Sequence, residues 1–281
     1  MSGIILYFEN QLSGLFNLNK ISLFCIFIAF LAMAGPCFAA TQELSVIKYG
    51  EDGNTVLFDE TYDYKWLEQN LPVMGDGVTH YYMQGPTFDE NDPLNPSEDK
   101  NVLSRDYGAV KGTNVADLCE LAGRLPENYE VRIASEDGFS KKFGYKNVYY
   151  SDNRQGPLVV CWYNGDDNSA EGDRQGTGYP PDFYTGMRLV VFGDTDTNPW
   201  GYHVFGNQDM NDFFDEKYIH YFNGEWPSSG GLSVKYVSKI EMLPLKEAGA
   251  KDIPAESKAP LSVFVILGAF GVSCIIYKKT R

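Results

Sequence analysis

Two short stretches, Glu43 to Tyr49 and Thr55 to Phe58, flank the polar turn Gly50-Glu51-Asp52-Gly53-Asn54, which predicts a β-hairpin. A short helix is expected over Tyr64 to Asn70, stopped by Pro72, whose ring and missing N–H cannot continue it. Residues 74 to 110 hold Gly75, Gly77, Pro86, Pro93 and Pro96 with the acidic cluster Asp89-Glu90-Asn91-Asp92, and read as a long loop. A loop of that length inside a compact domain is usually functional or poorly ordered. Val115, Leu118, Cys119 and Ala122 then recur at helical spacing, with Asn114 as the cap, Asp117 in the first turn and Gly123 as the stop.

Tyr129 to Ala134 alternates Val131 and Ile133 with Arg132, turns at Asp137-Gly138 and returns through Phe139 to Phe143. Leu158 to Trp162 and Met187 to Phe192 are near-continuous apolar runs, the pattern of strands covered on both faces. A polar loop from Asn164 to Pro181 separates them. The connection from Gly193 to Gly230 carries so many aromatic residues, among them Trp200, Phe205, Phe213, Phe214 and Tyr218, that it is expected to pack down onto the domain. A closing strand follows over Gly231 to Glu241, with Val234, Tyr236, Ser238, Ile240 and Met242 on one face and Lys235, Lys239 and Glu241 on the other. The order of elements gives an α+β fold, mostly β.

The two ends bear on compartment. An apolar run from Ile21 to Gly35 behind Lys20, followed by Pro36-Cys37-Phe38-Ala39-Ala40, predicts a signal peptide over residues 1–40. Residues 245–260 read as a stalk. A helix over residues 261–277 would reach about 26 Å against a hydrocarbon core of about 30 Å, and Lys278, Lys279 and Arg281 would lie on the cytoplasmic side in a tail over 278–281. This gives a single-pass protein of the cell membrane with its main domain extracytoplasmic. The same ending also resembles an archaeal C-terminal sorting tail, which is cut and replaced by a lipid.

The chain carries 23 Lys and Arg against 38 Asp and Glu, a net charge of −15. Removing the ends takes away more basic residues than acidic ones, so the exported part is more acidic still. That surface repels nucleic acid and anionic lipid, and excludes nucleic-acid binding. Only Cys119 and Cys161 of the five cysteines fall in the exported part, either as a bridge or as two buried thiols.

Four blocks in this order carry a family resemblance. They are Gly112-Thr113-Asn114-Val115-Ala116-Asp117-Leu118, Val131 to Ser140, Asp182 to Val191, and Gly231 to Ile240. Together they resemble the sulfite-oxidase-type molybdopterin-binding domain, in a divergent cell-surface form, over residues 111–244, preceded by an N-terminal hairpin, helix and long loop over 41–110. The resemblance implies that Arg188, Ser233 and Lys235 hold an anionic pterin and its phosphate, for which planar Arg and strand Lys are suitable ligands. Alternatively, Lys235 and Lys239 are exposed strand charges that discourage edge pairing. The family also needs a Cys thiolate ahead of the first block, as a soft ligand for molybdenum, and residues 41–118 contain no Cys. Phe183-Tyr184 stand where the family has His-Gly, and Leu232 where it has a basic residue. The expectation is a retained fold that has lost cofactor binding of the usual type.

Other chemistry is weaker. Asp194-Thr195-Asp196-Thr197-Asn198 resembles the start of a calcium loop, but Pro199 replaces the needed Gly and Phe205 the bidentate Glu. Asp166, Asp167, Glu171 and Asp173 form a second acidic stretch. His80, His203 and His220 sit among aromatics without metal-pair spacing, and would bind a metal only by converging in space. No general acid, base or nucleophile stands out. The expected function is therefore a membrane-tethered envelope protein that holds other envelope proteins or a small anionic ligand. The alternative is a molybdopterin-dependent oxidoreductase with an atypical metal ligand.

Overall fold

The computed structural model describes residues 40–95, 101–167, 174–195 and 198–245, all within one compact unit that ends at Leu245. The expected signal segment up to Ala39, the end of the stalk, the helix over 261–277 and the basic tail lie outside the described residues, as do Glu171, Asp173, Asp196 and Thr197. Among the described residues no helix is long and apolar enough to cross a membrane.

The first hairpin forms as the pattern predicts, with β1 (Glu43–Tyr49) antiparallel to β2 (Val56–Asp63). Its turn is held by Asp52, whose carboxylate accepts from the Thr55 hydroxyl at 2.6 Å and from the Thr55 and Asn54 amides. Those bonds favour the ionised form and lower its pKa to about 2. Helix α1 (Tyr64–Asn70) is capped by Asp63, which accepts from the Trp66 amide at 2.7 Å, and it ends two residues before Pro72. The long segment that follows is less irregular than expected. It contains the end of β3 (Val73–Met74), β4 (Tyr81–Met83) and a 3₁₀ turn at Leu103–Arg105.

β5 (Val110–Asn114) runs into α2 (Val115–Leu121), where Asn114 caps as expected by accepting from the Ala116 amide at 3.0 Å. β6 (Tyr129–Ser135) and β7 (Ser140–Gly144) form the second hairpin, followed by α3 (Tyr145–Tyr149). β8 (Leu158–Asn164) and β9 (Arg188–Val191) are the two apolar runs, and both are buried on both faces except at Tyr163. The aromatic connection contains β10 (His203–Phe205), α4 (Asn207–Phe213) and the small hairpin of β11 (Tyr221–Phe222) and β12 (Trp226–Pro227). Phe205, Phe214 and Tyr218 from it are buried, while Tyr202, Tyr221 and Phe222 remain exposed. β13 (Val237–Pro244) closes the described chain.

These strands make a five-stranded sheet in the order β2-β1-β13-β6-β7 and a four-stranded sheet in the order β3-β5-β8-β9. β1 pairs parallel with β13, and every other pairing in the two sheets is antiparallel. Helix α2 touches β1 and β13 of the first sheet and β5 and β8 of the second, so its apolar stripe lies where the two sheets meet. One continuous core joins them, from Leu44, Val46 and Ile133 through Leu118 to Trp162 and Val190. Gly112 allows β5 to approach β8 at a bulge, since a Cβ there would stand 2.4 Å from the Val160 carbonyl oxygen. Cys119 and Cys161 are separate buried thiols in this core, not a bridge.

The closing stretch departs from the predicted strand. Ser229–Leu232 is a 3₁₀ turn, Tyr236 adopts the left-handed conformation at φ 54°, and regular pairing begins only at Val237. Residues 234–237 pair with the chain around β9 as the stretch enters the first sheet, where Val237 stands opposite Ser135 of β6. The Leu189 amide donates to the Val234 carbonyl at 2.8 Å, and the Val237 amide donates to the Met187 carbonyl at 2.7 Å. The expected shared face therefore survives only at Ser238, Ile240 and Met242. Glu241, placed on the polar face, is buried and bonded to Arg132 through two contacts of 2.6 and 2.8 Å.

The Glu241 side chain is 3% exposed and that of Arg132 is 40% exposed, so loss of the arginine leaves a buried carboxylate without its cation. Arg132→Met should destabilise the domain by about 2–3 kcal/mol in urea unfolding, and the double variant Arg132→Met/Glu241→Met should recover most of that loss.

Candidate anion-binding site

Where β9 lies beside the closing stretch, the two help line a pocket of about 270 Å³. Arg188, Ser233 and Lys235, chosen from sequence, all line it, and Arg105 adds a third cationic side chain. Tyr107, Phe139 and Tyr236 supply aromatic wall, and Asp137 is the carboxylate among the lining residues. That carboxylate is engaged by its own turn, accepting from the Ser135 hydroxyl and from the Phe139 amide.

Arg188 is fixed from several sides. It opens β9 and is 4% exposed. Its Nε donates to Ser233 Oγ at 2.9 Å, its Nη1 donates to Gln175 Oε1 at 2.8 Å, and its guanidinium lies 4.2 Å from the Tyr107 ring centroid. Ser233 passes its own proton to the Leu189 carbonyl at 2.7 Å, which leaves its lone pair facing the arginine. Tyr107 is in turn tied by its hydroxyl to the Gly230 carbonyl at 3.1 Å. A planar cation stacked on an aromatic face and oriented by these acceptors is fixed at the pocket wall. The alternative reading of Lys235 as a simple edge charge does not describe its position, because it lies on the pocket wall before β13 begins.

Behind Phe139, Lys141 and His220 form a second polar pair, with Lys141 Nζ 2.9 Å from His220 Nδ1. Burial pushes the lysine down, and burial together with the lysine charge pushes the histidine down to about 4. The imidazole is therefore neutral near pH 7, and its Nδ1 accepts from the ammonium.

Sequence reasoning missed Arg105, Tyr107, Phe139 and Tyr236. The first two come from the long segment flagged only by its length, and Phe139 follows the turn of the second hairpin. Phe183 and Leu232 are buried core residues, and Tyr184 is exposed.

The cations of this pocket suit a phosphate by charge, and no cysteine is among its lining residues. Burial pushes both thiols up, Cys161 despite the nearby Arg188, so each stays a protonated core group. The histidines have separate partners. His80 Nδ1 is 2.8 Å from Asp106, His203 Nδ1 is 3.0 Å from the Gly193 carbonyl, and His220 meets Lys141. Among the described residues no three His, Cys, Asp or Glu side chains come together to hold a metal. Of the acidic stretches, Asp167 caps the Gln175 and Gly176 amides, and the Asp194 carbonyl accepts from Arg154 and Asn198. Comparison with protein-family models, with curated proteins and with solved structures gives no match.

The histidine predicts a pH effect on stability. Its folded pKa lies below the ordinary value of 6.5, so between about 6.5 and 4 the unfolded chain binds a proton that the folded one refuses. Stability should fall as pH drops through that window. Because the ring is half exposed, the loss attributable to it is of order 1–2 kcal/mol. Denaturant unfolding at pH 7.5, 5.5 and 4.5 should show this excess loss in the native protein and not in His220→Asn.

Proposed function

We propose that this chain is a membrane-anchored extracytoplasmic protein that binds a small anionic ligand on a sulfite-oxidase-like, molybdopterin-binding-like domain. The reading rests on one observation: Arg105, Arg188 and Lys235 gather on one pocket of a chain whose net charge is −15. Concentrating cations at one concave place while the rest of the chain is acidic focuses an attractive field there and discourages anions elsewhere. The wall chemistry suits oxyanions, since a fixed guanidinium offers paired donors and a lysine adds a mobile charge. Membrane attachment is supported by the apolar runs at residues 21–35 and 261–277 and the basic tail after them.

A molybdopterin-dependent oxidoreductase is the competing reading. It has the cationic pocket in its favour and the two buried thiols against it. Calorimetric titration of the detergent-solubilised full chain with inorganic phosphate should give saturable binding that weakens with added salt. Arg188→Gln should reduce the affinity at least tenfold. Arg105→Gln, at an exposed position, should reduce it about threefold without affecting the fold. Elemental analysis of the same preparation separates the two readings. Stoichiometric molybdenum or tungsten would overturn the binding-protein reading, and absence of phosphate binding would overturn the anion site.

A further inference from the structure

We infer that the anion pocket continues past Phe139 to Lys141, and that its ligand carries two anionic groups, one held at Arg188 and Lys235 and the other by Lys141. This deepens the anion-binding reading above and depends on it.

Among the described residues Lys141 is a half-buried cation without a carboxylate partner. Its neighbours are the His220 ring nitrogen and the Phe139 face, whose centroid lies 5.1 Å from Nζ. No carboxylate pairs with it, whereas the adjacent Lys142 reaches Glu130 at 2.6 Å and Lys111 reaches Glu68 at 3.6 Å. In this acidic chain a carboxylate partner would be easy to place, so its absence beside a partly desolvated ammonium marks a charge left open. The lowered pKa of the lysine agrees with that reading.

The position links it to the pocket. Phe139 lines the pocket, and Lys141 Nζ stands over the same ring. On the other side the His220 ring presses on Gly231, where a Cβ would come within 1.7 Å of the ring, and Gly231 directly follows the pocket residue Gly230. His220 thus serves as a neutral prop. It holds the ammonium by its lone pair without neutralising it, and leaves the remaining donors of Lys141 for an oxyanion.

The test is a length series on the full chain at pH 7, titrating acetate and the dicarboxylates malonate, succinate, glutarate and adipate calorimetrically. One chain length should bind at least tenfold tighter than acetate. Lys141→Met should remove that advantage while leaving acetate affinity within about twofold, and Lys141→Arg should retain it. Raising the pH through the lowered lysine pKa should erase the advantage while acetate binding at Arg188 persists, because His220, the titratable group bonded to Lys141, is already neutral there. A flat length series, or a preference that survives Lys141→Met, would overturn the second subsite and leave the first. Failure of acetate, phosphate and every diacid to bind would overturn both.

Discussion

The fold depends on the pairing of residues 234–237 with the chain around β9. Two backbone hydrogen bonds there, from Leu189 to Val234 and from Val237 to Met187, tie the edge of the four-stranded sheet to the strand that enters the centre of the five-stranded one. Buried amides and carbonyls at that edge would otherwise lack partners, a cost comparable to a lost hydrogen bond each. The same pairing brings Arg188 and Ser233 into contact and places Lys235 on the same wall. The site is thus a by-product of how the two sheets are joined.

The electrostatics follow from that joint. A nearly buried guanidinium is tolerated because Ser233, Gln175 and the Tyr107 ring each receive one of its faces or donors. Arg132 and Arg154 meet the carboxylates of Glu241 and Asp209. The molecule therefore uses arginine in two ways. Arg132 and Arg154 fasten elements together through carboxylates, and Arg188 lines the pocket.

Much of the fold was legible in the sequence. Both hairpins, the Asn114-capped helix and the doubly buried strands β8 and β9 follow from local periodicity and capping, which depend on neighbours in the chain. Arg188, Ser233 and Lys235 were found by resemblance, and they do converge. What sequence could not give was the break at Tyr236, because a left-handed residue inside an alternating run leaves the alternation intact on paper. Arg105 and Tyr107 were hidden for a different reason. They reach the pocket through long-range contacts made by a segment whose composition signals only turns, and no local period encodes such contacts.

The parallel pairing of β1 with β13 has a mechanical meaning. β13 lies between β1 and β6, so any pull on the chain beyond Leu245 enters along the middle strand of the five-stranded sheet. Such a load runs parallel to the strand and shears two ladders of backbone hydrogen bonds together, instead of unzipping one bond at a time. A domain loaded in this way resists extraction through its topology, whatever its equilibrium stability.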